Sequence, residues 1–308
     1  ENAYNVKLIN LTIHDNSNSG VYLGSLVYNV TINSSRIGNT NFSYYQDYGI
    51  WLRSARPAGG NNLIFSNTIH NNSIAGIYLS DTSASNSVYS NTIYGSYNGI
   101  LVNSSNGNNI YNNTIYNNSN AGIKAVSSTL SNLGTGSSKN TIYLNTYGYF
   151  LDTAVSDNAN GITGTLYNNT YGVYFTNSNP DLSSLIINRS SYGIYLDGGS
   201  NINVNNVNLT FNTVSFYAAN STNLVFSDMS DVYIYNNTYG LYLFNTNRSH
   251  FEPLAGLTVL KIYNNIYNIN LTNSNSNIFD GLTVFGGAIG FNLLSSLNNT
   301  IKNSIISN

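Results

Sequence analysis

A four-residue phrase, glycine then apolar, any residue, apolar, returns along the whole chain, and any fold must place its copies equivalently. It reads Gly20-Val21-Tyr22-Leu23, Gly49-Ile50-Trp51-Leu52, Gly76-Ile77-Tyr78-Leu79 and Gly99-Ile100-Leu101-Val102. Further copies begin at Gly122, Gly148, Gly172, Gly193, Gly240 and Gly290, with glycine-less copies at Val214-Ser215-Phe216 and Ile269-Asn270-Leu271. The spacing runs from about 20 to 29 residues, the range of solenoid repeats.

A second phrase, Asn-Thr-Ile-X-X-Asn, lies between the glycine copies, as in Asn67-Thr68-Ile69-His70-Asn71-Asn72 and Asn113-Thr114-Ile115-Tyr116-Asn117-Asn118. Each repeat holds three short runs alternating with period two, rich in β-branched and aromatic residues and separated by Asn, Ser, Gly or Asp. Three strands per turn predict an all-β, single-stranded, right-handed parallel β-helix of about twelve three-sided coils. A single domain over 1–308 is expected, with no capping helix at either end. Residues i and i+2 of a strand share a face, so Ile77 and Leu79 should point inward and Tyr78 outward. Asn makes up about a fifth of the chain, and Asn at coil corners can stack into ladders whose amides bond the copies above and below.

Composition excludes several function classes. Only 7% of residues are charged and the formal net charge is −2, with no basic run to neutralise phosphates, so nucleic acid is not an expected partner. No apolar run approaches the roughly 20 residues of a membrane-spanning helix. The chain has no cysteine, which removes a disulfide scaffold. It opens on Glu1 without a signal-peptide pattern, as a processed or excerpted chain would.

The Asn-Thr-Ile-X-X-Asn and Gly-Ile-X-Leu phrases together resemble the NosD-type repeats, the domain of carbohydrate-binding proteins and sugar hydrolases. The Asn-rich, sequon-bearing version is similar to archaeal cell-surface proteins. The resemblance spans nearly the whole chain and implies a right-handed parallel β-helix, extracytoplasmic and near carbohydrate. Enzymes of this fold resembling pectate lyases or polygalacturonases use clustered carboxylates, a Ca²⁺ site or an Arg base on one outer face. No Asp-Asp pair is present here, and the only glutamates are Glu1 and Glu252. His14, His70 and His250 lie far apart in sequence, and His14 and His70 take the repeat position of Tyr94 and Tyr116. No metal ligand set and no cofactor is read from the sequence.

The nearest approach to a catalytic pair is Asp152 and Asp197, each four residues after the glycine of its coil, with Thr176 at that place between them. Two coils at about 4.8 Å each would part them by roughly 9–10 Å, the upper edge for an inverting glycosidase. Asp is also a common turn residue, and that is the preferred reading of both. Asp47, Trp51, Arg53 and Arg56, with Tyr44, Tyr45 and the Pro57-Ala58-Gly59-Gly60 segment, form a second cluster. It reads as a sugar or acid site, or as an inserted loop pinned by an ion pair. The outward strand position carries Tyr22, Trp51, Tyr78, Leu101, Lys124, Phe150, Tyr174, Tyr195, Ser215 and Tyr242, and Tyr48, Tyr147, Tyr171, Tyr192 and Tyr239 precede the glycine position. Such columns stabilise by stacking and also suit a subunit interface or a sugar platform.

Sequons for N-glycosylation stand at Asn10, Asn29, Asn33, Asn41, Asn71, Asn103, Asn112, Asn117, Asn168, Asn188, Asn208, Asn220, Asn236, Asn247, Asn270 and Asn298, about what this composition gives by chance. The expectation drawn from these features is a non-catalytic, extracellular, glycosylated building block of a surface layer or filament. Homo-oligomeric contacts would run through coil edges and the tyrosine stripe. A carbohydrate-binding or adhesive module is the first alternative, and a polysaccharide hydrolase or lyase the second.

Overall fold

The coils turn at residues in the left-handed backbone region, which most side chains avoid; most are Asn, Ser or Asp, although Leu144, Arg189 and Phe211 take the same place in their coils. Asn71 and Asn117 (φ 56° and 53°), Ser66, Ser90 and Asn112 (54–55°), and Asp81, Ser104 and Ser127 (46–52°) mark three recurring corners. In the computed structural model, described for residues 3–40, 46–53, 61–81, 83–153, 155–156, 161–178, 181–198, 201–253 and 260–307, these corners separate short parallel strands. No α-helix occurs among the described residues, only a 3₁₀ turn at Gly136–Ser138. Among these residues no helix is long and apolar enough to cross a membrane.

The chain divides into two compact units, Glu1–Gly164 and Thr165–Asn308. In the first, the glycine-phrase strands Ser19–Leu23, Tyr48–Arg53, Ala75–Ser80, Asn98–Asn103, Ala121–Val126 and Tyr147–Asp152 pair in parallel, coil upon coil. A second side stacks Thr68–His70, Thr92–Tyr94, Thr114–Tyr116 and Thr141–Tyr143 in exact register, Thr on Thr and Ile on Ile. The third stacks Leu63–Phe65, Ser87–Tyr89 and Asn108–Tyr111. Alternation puts Ile50, Ile77, Ile100 and Ile123 inside, with Ile69, Ile93 and Ile115 from the second side and Ile64 and Ile110 from the third, all fully buried. The glycine recurs because a Cβ at Gly76 would sit 2.7 Å from the Gly99 carbonyl oxygen and 2.6 Å from Ile93 Cγ2. Tyr149 is the one tyrosine in this core among the described residues. Its hydroxyl donates to the Thr163 carbonyl at 2.9 Å and accepts from Asn140 Nδ2 at 3.3 Å, and burial raises its pKa.

After corners such as Ser66, Ser90 and Asn112 the next residue turns inward and builds a polar ladder. Asn91 Oδ1 accepts both the backbone N–H and the side-chain amide of Asn67, each at 3.0 Å. Asn91 in turn donates both to Asn113 Oδ1 at 3.0 Å, and Asn113 donates both to Asn140. A buried donor left unpaired costs on the order of 1–3 kcal/mol, and this arrangement pairs the amide donors of Asn67, Asn91 and Asn113 with one residue type.

The second unit repeats the scheme with longer strands. The glycine-phrase strands are Tyr171–Thr176, Tyr192–Asp197, Val214–Ala219 and Tyr239–Phe244. Leu260–Thr272 and Thr283–Leu294 run round a corner without a break and continue the stack. Asn212 donates its N–H to Asn237 Oδ1, and Asn237 its N–H and side-chain amide to Asn265 Oδ1, at 2.8–2.9 Å. Ser215 and Asn268 occupy the glycine position and are buried. Ser215 is therefore not in the outward column. Val214 pairs with Tyr192 and Tyr217 with Tyr195, so the outward residue of that coil is Tyr217.

Candidate functional site

A strand residue that points out of a parallel coil lies directly over its copy one coil on, so an outward aromatic becomes a column. In the first unit Tyr22, Trp51, Tyr78, Leu101, Lys124 and Phe150 occupy one such column. Tyr22 is 51% exposed and meets Trp51 edge-on at 5.1 Å. Trp51 stacks on Tyr78 at 5.8 Å, and Tyr48 packs against both at 5.0 Å. Trp51 Nε1 donates to Ser80 Oγ at 2.9 Å. Arg53 lies 5.7 Å from the indole centroid and donates to Asp81 Oδ2 at 3.0 Å. That hydrogen bond, then one with Tyr22, raises the guanidinium pKa. Arg53 thus pairs with Asp81, whereas Asp47 accepts a hydrogen bond from Ser73 Oγ at 2.7 Å. Arg56, Tyr44, Tyr45 and the Pro57–Gly60 segment lie outside the described residues. Farther along the column the Lys124 ammonium sits 4.6 Å over the Phe150 ring, a cation–π contact.

The second unit carries the denser array. Tyr174, Tyr195, Tyr217 and Tyr242 follow one another in register, with ring centroids 5.1, 4.8 and 5.2 Å apart. A parallel column precedes the glycine position: Tyr171 stacks on Tyr192 at 5.1 Å and Tyr239 on Tyr267 at 4.8 Å. The Tyr171 and Tyr192 rings stand nearly perpendicular to Tyr195, at 86° and 81°. The patch therefore mixes ring orientations rather than repeating one stack. Partial burial, with neighbouring Tyr242, Tyr192 and Asp197 adding to it, pushes Tyr217 up to about 12, and burial followed by Tyr217, Asp197, Tyr174 and Tyr171 raises Tyr195. These hydroxyls are neutral donors and acceptors at any physiological pH. Tyr217 is the member that reading the sequence missed, because Val214-Ser215-Phe216 imitates the phrase two residues out of step. The column Tyr174-x-Tyr195-x-Tyr217 at the same distance after the preceding corner was the available signal.

Asp152 closes the strand Tyr147–Asp152 in the first unit and accepts from Thr153 Oγ1. Asp197 closes Tyr192–Asp197 in the second and accepts from Asn220 Nδ2 at 3.2 Å. The two belong to different units, and each has a local turn partner.

A cluster that the sequence did not disclose lies in the second unit. His250 and Glu252 are two apart on one strand, and Asp280 is on the next coil's strand, where His250 pairs with Ile278 and Phe251 with Phe279. Phe251 and Phe279 point inward and stack at 4.9 Å, which turns the flanking polar side chains outward. His250 Nε2 lies 3.3 Å from Glu252 Oε2, and Lys302 Nζ 2.9 Å from Asp280 Oδ2. The hydrogen bonds from Lys302 and then Asn303 hold the Asp280 carboxyl below the usual carboxylate range. Aligning Ser249-His250-Phe251-Glu252 with Asn277-Ile278-Phe279-Asp280 would have found it.

Nine sequon asparagines, Asn10, Asn29, Asn71, Asn112, Asn117, Asn168, Asn220, Asn236 and Asn298, take the left-handed corner position at φ 52–56°. Asn33, Asn103, Asn188, Asn208 and Asn247 are half-buried, Asn270 is 3% exposed, and Asn41 lies outside the described residues.

The family described as the right handed beta helix region matches residues 1–93, in agreement with the expected hand and fold. No curated protein sequence matches the chain. Among solved structures it is similar to the mannuronan C-5 epimerase AlgE6 A-module of Azotobacter vinelandii, at 11% identity over 92% of this chain and 91% of that one, TM-score 0.46. It is similar to an alginate lyase of Paenibacillus sp. str. FPU-7, at 11% over 96% and 99%, TM-score 0.25. A third is the surface protein and adhesin PfbA of Streptococcus pneumoniae, at 12% over 97% and 91%, TM-score 0.33. The expectation of a non-catalytic building block of a surface layer or filament is corrected by this finding, because the similar structures include polysaccharide-active enzymes. At these scores the likenesses assign no activity to this chain.

Proposed function

We propose that the protein is an extracellular carbohydrate-binding β-helix that holds an extended polysaccharide along its outer tyrosine columns. The observation that carries this reading is the unbroken run Tyr174, Tyr195, Tyr217 and Tyr242, one ring per coil at about 5 Å, bordered by Tyr171, Tyr192, Tyr239 and Tyr267. Aromatic rings offer apolar contact for the C–H faces of a sugar, and their neutral hydroxyls pair with its hydroxyls. A periodic platform suits a periodic ligand, and a low charge density favours recognition by shape and hydrogen bonding over ion pairing. The Tyr22, Trp51 and Tyr78 stretch of the first unit offers the same chemistry, with Arg53 for an acidic sugar.

Affinity electrophoresis and a glycan array test this. Tyr195→Ala and Tyr217→Ala are expected to weaken retention at least tenfold, and Tyr195→Phe less, since it keeps the ring. Trp51→Ala and Tyr78→Ala are expected to weaken it further. Full retention in all four alanine variants would end the proposal.

A second reading, turnover of a polysaccharide, is favoured by the His250, Glu252, Asp280 and Lys302 group, which sets proton donors and acceptors side by side on an outer face, as general acid–base work requires. Product release from acidic and neutral polysaccharides that disappears in Glu252→Gln would support it, and no product from any of them would exclude it.

A further inference from the structure

We propose that His250, Glu252 and Asp280 bind a first-row divalent cation on the outer face of the second unit. The three offer one imidazole nitrogen and two carboxylate oxygens, all within 4.8 Å of one another. Ligands bound at about 2.0–2.2 Å lie up to roughly twice that distance apart, so a small inward rotation, chiefly of the exposed Glu252, closes the set. The strand geometry makes the arrangement. Residues i and i+2 project from one face of a strand, and the neighbouring coil brings its own outward residue alongside. The inward Phe251 and Phe279 lock that register.

A second observation singles out the histidine. His250 Nε2 is shielded from solvent and makes no hydrogen bond, although Glu252 Oε2 is 3.3 Å away. The distance suits attraction, but the alignment does not make a bond. A buried ring nitrogen facing two carboxylates without a partner is a ligand position awaiting an electrophile. Asp280 is already oriented: Lys302 Nζ holds Oδ2 and Asn303 Nδ2 holds Oδ1, both at 2.9 Å, the kind of outer support that fixes a metal-binding carboxylate. Lys302 also competes with the cation for Oδ2.

The donor set decides the ion. One nitrogen with two oxygens and no sulfur suits Zn²⁺ or Mn²⁺ better than Ca²⁺ or Mg²⁺, which take oxygen ligands throughout. Three protein donors leave at least one coordination position for water or a sugar hydroxyl. The inference does not depend on the sugar reading, since the cation is tested without polysaccharide.

Isothermal titration of the chelator-treated full chain with ZnCl₂, and separately with MnCl₂ and CaCl₂, provides the test, read alongside the thermal midpoint. One saturable Zn²⁺ site is expected, with a midpoint that rises with cation concentration and weak or no response to CaCl₂. His250→Ala and Asp280→Asn should each weaken binding at least tenfold, His14→Ala should leave it unchanged, and Lys302→Met should strengthen it. Circular dichroism establishes that each variant is folded. Glu252→Gln, at an exposed position, supplies an independent loss should His250→Ala fail to fold. No saturable site, or a site that persists in folded His250→Ala and in Glu252→Gln, overturns the proposal.

Discussion

At the scale of single residues, two adjacent positions of each corner divide the labour that the Asn bias reflects. The first takes positive φ and faces solvent, as Asn112 does, and the second turns inward, as Asn113 does. The inward residue must accept from the previous coil and donate to the next with one short planar group. Asparagine offers a carbonyl and an amide at the same reach, whereas serine supplies a single oxygen, as at Ser96 in the neighbouring ladder. Asn91→Ala should therefore cost about 2–3 kcal/mol, because the Asn67 N–H and the Ile64 carbonyl lose their partners in a buried site. Asn112→Ala, at the exposed corner, gives up only a bond to Ser90 and a left-handed preference, and should cost about 1 kcal/mol. Urea unfolding of the two variants checks the order, and equal losses would contradict the ladder's role.

At the scale of the strand, period-two alternation made the core legible. The inward placing of Ile77 and Leu79 and the outward placing of Tyr78 follow from the sequence and hold in the structure. Where the phrase was degenerate the register was not legible: Val214-Ser215-Phe216 looks like an apolar pair around a spacer, yet Ser215 takes the crowded glycine place and Tyr217 the outward one. The four-residue phrase alone misplaces this register, whereas the six-residue distance from the corner, the same from Arg189 to Tyr195 and from Phe211 to Tyr217, records it. His70 shows the opposite case. Its repeat position equals that of Tyr94, Tyr116 and Tyr143, and the structure stacks it on Tyr94 at 5.4 Å in that column. Burial, with Arg36 nearby, holds the imidazole below its ordinary pKa, and Asp15 opposes only in part. A depressed histidine gives stability that is present above its unfolded value near 6.5 and is lost as the pH falls below it. His70→Tyr continues the tyrosine column and removes that titration, so it should flatten the decline of the urea midpoint between pH 7 and 5. A decline as steep as in the parent chain would show that His70 does not carry it.

Across the whole molecule, the fold was readable because it repeats, and the candidate sites were readable only as far as they repeat. The tyrosine columns recur coil after coil and could be counted. The cluster of His250, Glu252 and Asp280 occurs once among the described residues, and its members meet through a strand pairing 28 residues apart in sequence. The repeated aromatic surface also has a collective titration. Tyr195 and Tyr217 are raised mainly by desolvation, Tyr217 to about 12, and Tyr48, Tyr89, Tyr116 and Tyr263 are raised for the same first cause. A phenol whose folded pKa lies above its unfolded value of about 10 binds its proton more tightly when folded. Its contribution is complete below pH 10 and is withdrawn as the pH climbs from there toward 12. The thermal midpoint should thus be level between pH 7 and 9 and fall steeply beyond 10. Replacing Tyr195 and Tyr217 together by Phe leaves the rings and removes two of these protons, so the fall should become shallower while the midpoint at pH 7 changes little. An alkaline fall of undiminished slope in that double variant would show that the patch is not where the high-pH sensitivity resides.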